Sequence, residues 1–226
     1  MKKWLRFEDM YGLCDIFCAC NNIEYTTTSK TCTDKYILET GASNPGCFVV
    51  TNPKIESMKV DGAGECIIFF DIDPVRSKDI VLTSEWFRAK AIKRDFVTYA
   101  PVVWCAETLA CICLGIGVDE LLHPANSVAE KLGDKRTKRF RDILPKNGIR
   151  DTLLQHSQSS KYNQKVIDVI CNGSKGYSYD DAVIFLDKLY QDINSSVDEL
   201  WDMVPPSLRS SHTGSKEDLL RQLGLL

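Results

Sequence analysis

The sequence predicts an α+β protein, with an N-terminal helix and a small antiparallel sheet followed by a C-terminal α-helical bundle. Three observations carry this expectation. Between residues 23 and 83, short runs rich in β-formers alternate with turn signals. After Thr83 that texture stops, and apolar residues begin to recur three or four apart. The longest such stripe occupies residues 178–204, the pattern of one amphipathic helix. The expected units are 1–83, a mixed region with no assigned role; 84–204, the helical bundle; and 205–226, a linker with a short terminal helix.

Taken in order, residues 4–21 are expected to form a first helix, because Leu5, Tyr11, Leu13, Cys14, Phe17, Cys18 and Cys20 make a broad apolar face. Strands are expected at 35–38, 47–50, 66–70 and 80–82. Asn44-Pro45-Gly46, Asn52-Pro53, Asp61-Gly62-Ala63-Gly64 and Asp73-Pro74 break them. Ser84 is placed to cap a helix running to Arg94, and a second, apolar helix is expected over 102–114. Ser127-Val128-Ala129-Glu130 is a capping box, and 133–144 is a helical stretch closed by Pro145. Residues 147–157 and 161–171 read as two helices, with 173–176 as the break behind them. A second capping box, Ser178-Tyr179-Asp180-Asp181, opens the long stripe, and Pro205-Pro206 ends it. Residues 207–214 are polar and linker-like, and Ser215 caps a last helix carrying Leu219, Leu220 and Leu223.

Composition narrows the class. The chain has 226 residues, 44% hydrophobic and 26% charged, which is ordinary for a globular protein able to bury a core. A net charge of −3 means that any nucleic-acid contact needs a local basic patch. Met1-Lys2-Lys3-Trp4-Leu5-Arg6 has the charge of a signal n-region, but Glu8, Asp9 and Asp15 interrupt the apolar segment that a signal requires. The longest apolar stretch, 99–118, carries Glu107 near its centre. A charge there would cost roughly 2.5–3.5 kcal/mol in a bilayer, so a buried core helix is expected and no membrane span. The ten cysteines are then expected as reduced, packed thiols of a cytoplasmic protein. Cys14, Cys18, Cys20 and Cys32 are the candidate zinc ligands. The pairs Cys18-Ala19-Cys20 and Cys111-Ile112-Cys113 lack zinc-knuckle spacing, and three of the four fall on an apolar face, which favours packing. His123, His156 and His212 have no metal-ligand spacing, so neither a metal nor a cofactor is expected.

The residues with the most specific chemistry are Arg150-Asp151-Thr152-Leu153-Leu154-Gln155-His156. RNA cleavage without a metal needs a base for the ribose 2′-OH and a group that stabilises charge on the phosphate oxygens. Imidazole suits the first task and a guanidinium fork the second. Six residues on a helix diverge by about 120° and about 9 Å, so one helix does not converge both groups on one phosphate. Two symmetry-related helices do. Leading into this run, Lys131, Lys135, Arg136, Lys138, Arg139, Arg141, Lys146 and Arg150 are opposed only by Asp134 and Asp142, a local charge of +6. Such a stripe is what contact with an RNA backbone requires. The plain alternative is a solvated helix face.

This Arg, polar follower and His resemble the R-x4–6-H motif of the HEPN superfamily. Its members are α-helical domains that often dimerise, and many act as metal-independent endoribonucleases in toxin–antitoxin and anti-phage systems. The resemblance covers roughly residues 84–204. It implies that Arg150 stabilises phosphate charge, His156 transfers protons and Asp151 orients one of them. RNA would be held by Lys135, Arg136, Lys138, Arg139, Arg141, Lys146 and Asn147. It further implies a homodimer and an antitoxin or other regulatory protein partner. Against it stands a non-catalytic interaction module, in which the bundle binds a protein and the N-terminal sheet regulates it. The enzyme needs Arg150 and His156 exposed in one cleft, whereas the module does not. A second enzymatic reading places a two-metal nuclease on Glu65, Asp71 and Asp73, around the 66–70 strand, with Lys78 nearby. Acids at strand ends also serve as solvated turn residues.

Overall fold

Five consecutive residues from Cys66 to Phe70 are buried, as are all seven from Val97 to Val103. A strand with one wet face would alternate, so burial on both faces marks the interior of a parallel sheet covered on two sides. The computed structural model describes residues 1–7, 12–24, 30–40, 62–72, 84–85, 87–89, 91–118 and 130–223. Within them, β1 (Lys2–Phe7), β2 (Lys30–Cys32), β3 (Tyr36–Thr40), β4 (Ala63–Ile72) and β5 (Val97–Val103) form one sheet in the order β2-β3-β1-β4-β5. β1 runs parallel to β3 and β4, and β4 parallel to β5; the β2–β3 pair is antiparallel. The protein is therefore mixed α/β, and the expected antiparallel sheet is corrected to a mainly parallel one. The expected strands at 47–50 and 80–82 and the capping box at Ser127 lie outside the described residues.

Two further expectations change. The helix expected over 4–21 begins as β1, and only α1 (Gly12–Asn21) is helical. Trp4, Leu5, Arg6 and Phe7 are all buried, a two-faced pattern that a helix stripe does not produce. The helix expected over 102–114 likewise begins as the end of β5. The chain turns at Trp104 and Cys105, both left-handed (φ 60° and 66°), into α2 (Cys105–Cys113). The sheet thus runs past residue 83, and the later helices pack on it.

Those helices are a 3-10 turn (Gly133–Thr137), α3 (Phe140–Ile143), α4 (Ile149–Ser157), α5 (Gln164–Asn172), α6 (Tyr179–Met203), α7 (Pro206–Ser211) and α8 (Lys216–Gln222). One sheet face meets α1. Phe7 stacks on Phe69 with centroids 4.8 Å apart, and Phe17 lies edge-on to Tyr36 at 5.2 Å. On the opposite face Phe87 packs on Phe70, Tyr99 and, from α6, Tyr179. α4 packs against α5, α2 and α1, so a single apolar core runs from Trp4 to Leu220. α7 replaces part of the linker expected at 207–214. Pro206 at its first turn suits the fixed φ of proline, and Ser210 and Ser211 hydroxyls donate back to the Ser207 carbonyl.

Among the described residues β5 is the last strand of the sheet, and later parts of the chain bond to its outer backbone. The Tyr99 N–H donates to Tyr177 O at 2.8 Å, and the Tyr177 N–H returns to Tyr99 O at 2.7 Å. Gly176 permits this approach, since a Cβ there would sit 2.6 Å from Tyr99 O. Farther along, the fully buried Asn163 accepts the Val103 N–H at 2.9 Å and donates to Val103 O at 3.3 Å, imitating a paired strand. Among the described residues no helix is long and apolar enough to cross a membrane.

Candidate nucleic-acid interface

α4 follows Gly148, whose φ of 82° reverses the chain without strain. It buries Ile149, Leu153 and Ser157 and presents Arg150, Asp151 and Gln155 to solvent. The Arg150 guanidinium donates to Asn172 Oδ1 at 3.2 Å. His156 sits in the last turn, half-buried, with its Nε2 enclosed. Arg150 and Asp151 therefore share the first turn, and His156 is not brought to them within one chain.

The basic segment divides into different fates. Lys135, Lys138, Arg141, Lys146 and Asn147 are exposed. Among the described residues Lys135, Lys138 and Lys146 enter no ion pair, and Arg141 is only 3.9 Å from Asp142. Arg139 departs from expectation. It is half-buried and grips Asp15 of α1 with two hydrogen bonds, Nε–Oδ2 at 3.0 Å and Nη2–Oδ1 at 2.6 Å. The Arg141 backbone N–H donates to the same carboxylate at 3.2 Å. The Asp15 side chain is fully enclosed, so this pair clamps the basic segment to α1 and withdraws Arg139 from RNA contact. The side chain of Arg136 lies outside the described residues.

That clamp forms the back of a groove of about 630 Å³ between α1 and the 141–146 segment. Its apolar lining comes from Ala19, Ile23, Leu144 and Pro145, and its polar rim from Arg141, Lys146, Asn22 and Glu24. Apolar walls can receive a base, and the two cations can meet phosphate. The sequence displayed the cations but not the groove, because α1 is its other wall.

Other expected sites resolve plainly. Glu65 and Asp71 lie six residues apart along β4, about 20 Å, so they cannot share one metal pair. Glu65 is instead 3.3 Å from Lys3 Nζ. Asp73 and Lys78 lie outside the described residues. Among the described residues no group of three or more His, Cys, Asp or Glu side chains has metal-holding geometry.

The sequence grouped Cys20 with Cys14, Cys18 and Cys32, but the fold groups it with Cys113 and Cys171. Each of these three lies in the last turn of its own helix. Asn21 Nδ2 donates to Ile170 O at 3.0 Å and ties the end of α1 to the end of α5. Cys171 Sγ lies 4.0 Å from the carbonyl oxygen of Arg150. The interaction of the Cys20 and Cys171 thiols raises Cys20 and lowers Cys171 from their ordinary values. Burial adds to the first effect and opposes the second, and the charge of Arg150 helps to lower Cys171. Burial pushes Cys113 up to about 12. The shared helix-end placement was the one signal available in advance. Comparison of the chain with protein-family models, with curated proteins and with solved structures finds no match in any of the three.

Proposed function

We propose that this protein binds single-stranded RNA in the groove between α1 and the 141–146 segment. The observation that carries this is the pairing of an apolar-walled groove with exposed cations that can reach phosphate. A base would rest on Ile23 and Leu144, with Arg141 and Lys146 on the phosphates. Lys135 and Lys138 would extend the track along the backbone.

Endoribonuclease activity of the toxin or defence kind is the second reading, and exposed Arg150 favours it. It requires His156 from another copy, since one chain separates the two side chains. The half-burial of His156 makes binding without cleavage the primary reading.

Fluorescence anisotropy with labelled single-stranded RNA tests binding. Four phosphate contacts predict a slope of about −3 in a plot of log affinity against log salt. Replacing Lys135, Lys138, Arg141 and Lys146 together by Ala should flatten that slope. An unchanged slope would exclude this surface. Running the products on a gel in EDTA, with His156→Ala alongside, tests cleavage. A 2′,3′-cyclic phosphate end made only by the unmutated protein would establish the enzyme.

A further inference from the structure

The residues that follow α1 are held in the groove by a fixed turn. Asn22 takes the left-handed conformation (φ 52°), and the Ile23 N–H reaches back to Cys18 O at 2.9 Å, the bond of a Schellman cap. The Asn21 side chain locks the same turn, donating to Phe17 O at 2.8 Å and to Ile170 O at 3.0 Å. Ile23 is thereby held half-buried as an apolar wall, and Glu24 next to it stands exposed on the rim. Arg141 and Lys146 line the same groove, yet among the described residues Glu24 enters no ion pair. A carboxylate there opposes phosphate binding unless it meets a donor on the ligand. We propose that Glu24 reads the base seated on Ile23, and that the groove selects guanine. The proposal rests on the groove being the RNA site.

The selection follows from what each base edge presents. An ionised carboxylate has two acceptor oxygens and no donor. Guanine alone among the four RNA bases carries two adjacent donors on its Watson–Crick edge, N1–H and N2–H. These match the two oxygens as a parallel, charge-assisted pair. Adenine sets the N1 lone pair beside its amino group, and cytosine sets N3 beside its own. Uracil has N3–H between two carbonyl oxygens. Each of those three turns at least one lone pair towards the carboxylate, and the two repel. Asn22 also lines the groove, but its amide both donates and accepts, so it fits any edge. Ile23 and Leu144 do not discriminate either, because every base offers them a flat face. Selectivity therefore falls to Glu24, which the cap places one residue beyond the Ile23 wall.

The test uses the full chain and fluorescence anisotropy with short labelled uridine oligomers carrying one central guanosine, inosine, adenosine or cytidine. Inosine keeps N1–H and lacks the N2 amino group. Guanosine should bind about tenfold tighter than uridine at the same position, near the low end for a bidentate pair because the rim is open to water. Inosine should lose most of that gain. Glu24→Gln should erase the difference between guanosine and inosine. It should also raise affinity for the all-uridine oligomer, since a negative charge has left the groove. The proposal is overturned if the unmutated protein holds all the oligomers equally, if it prefers another base, or if the guanosine preference survives Glu24→Gln. An equal loss of affinity for every oligomer in Glu24→Gln overturns it too, by giving Glu24 a structural role. Failure of the RNA reading itself looks different: no oligomer binds, or the four substitutions at Lys135, Lys138, Arg141 and Lys146 leave the salt slope unchanged, and guanine selection falls with it. The comparison of guanosine with inosine needs no variant, so it decides the matter on the unmutated chain alone.

Discussion

Asp15 and Arg139 show why single residues mislead in sequence. Arg139 stands among five other basic residues between 135 and 146, yet its partner is 124 positions away on α1. Nothing local distinguishes it from Lys138 or Arg141. Asp15→Asn should cost about 3 kcal/mol in urea unfolding, because it leaves a gripped guanidinium without its counter-charge. Lys138→Ala should cost almost nothing, being an exposed side chain that enters no ion pair among the described residues. Asp192 gives a pH signature. Burial raises its carboxyl, but hydrogen bonds from Lys161 and Tyr162 outweigh that and hold it below the ordinary value. A lowered folded value contributes stability above the unfolded pKa of roughly 4, and that contribution is lost as pH falls through the folded value. Asp192→Asn should therefore remove part of the acid-induced loss of stability, read as a flatter urea midpoint below about pH 4.

At the scale of elements, legibility followed periodicity. α6 and α8 were readable because each buries one stripe and starts at a capping serine, and α5 was readable from its stripe alone. Ser178 accepts the Asp181 N–H and donates to Asp181 Oδ2, so Ser178→Ala should destabilise by about 1 kcal/mol in thermal unfolding. β1 and the last two residues of β5 fall within expected helices because burial on both faces erases the alternation that marks a strand. The direction of pairing was equally hidden, since β1 meets strands that begin more than thirty residues later. Asn163→Ala strips two hydrogen bonds from Val103 at the end of β5. Hydrogen exchange should show the Val103 amide losing its protection first, ahead of β4.

For the whole molecule, the expected boundary at residue 83 cuts between two strands that pair along seven positions, Cys66 with Val97 through Ile72 with Val103. A fragment of residues 84–226 should therefore lack the cooperative unfolding and protease resistance of the full chain, as circular dichroism and limited trypsin digestion would show. The basic half of the candidate site was legible from charge alone. Its groove was not, because a wall made by residues 15–24 meets residues 141–146 only after the chain has folded. The treatment of the sheet margins has a further consequence. On one side β2 is three residues long, and on the other Tyr177 and Asn163 already occupy the backbone of β5. Among the described residues, then, neither margin offers a long template on which another polypeptide could add as a strand. Copies of this chain should meet through helix surfaces, and the native protein should resist seeding into amyloid. Gly176→Ala, by forcing residues 176 and 177 away from Tyr99, would uncover one margin and should raise the tendency to form fibres, read by thioflavin T fluorescence.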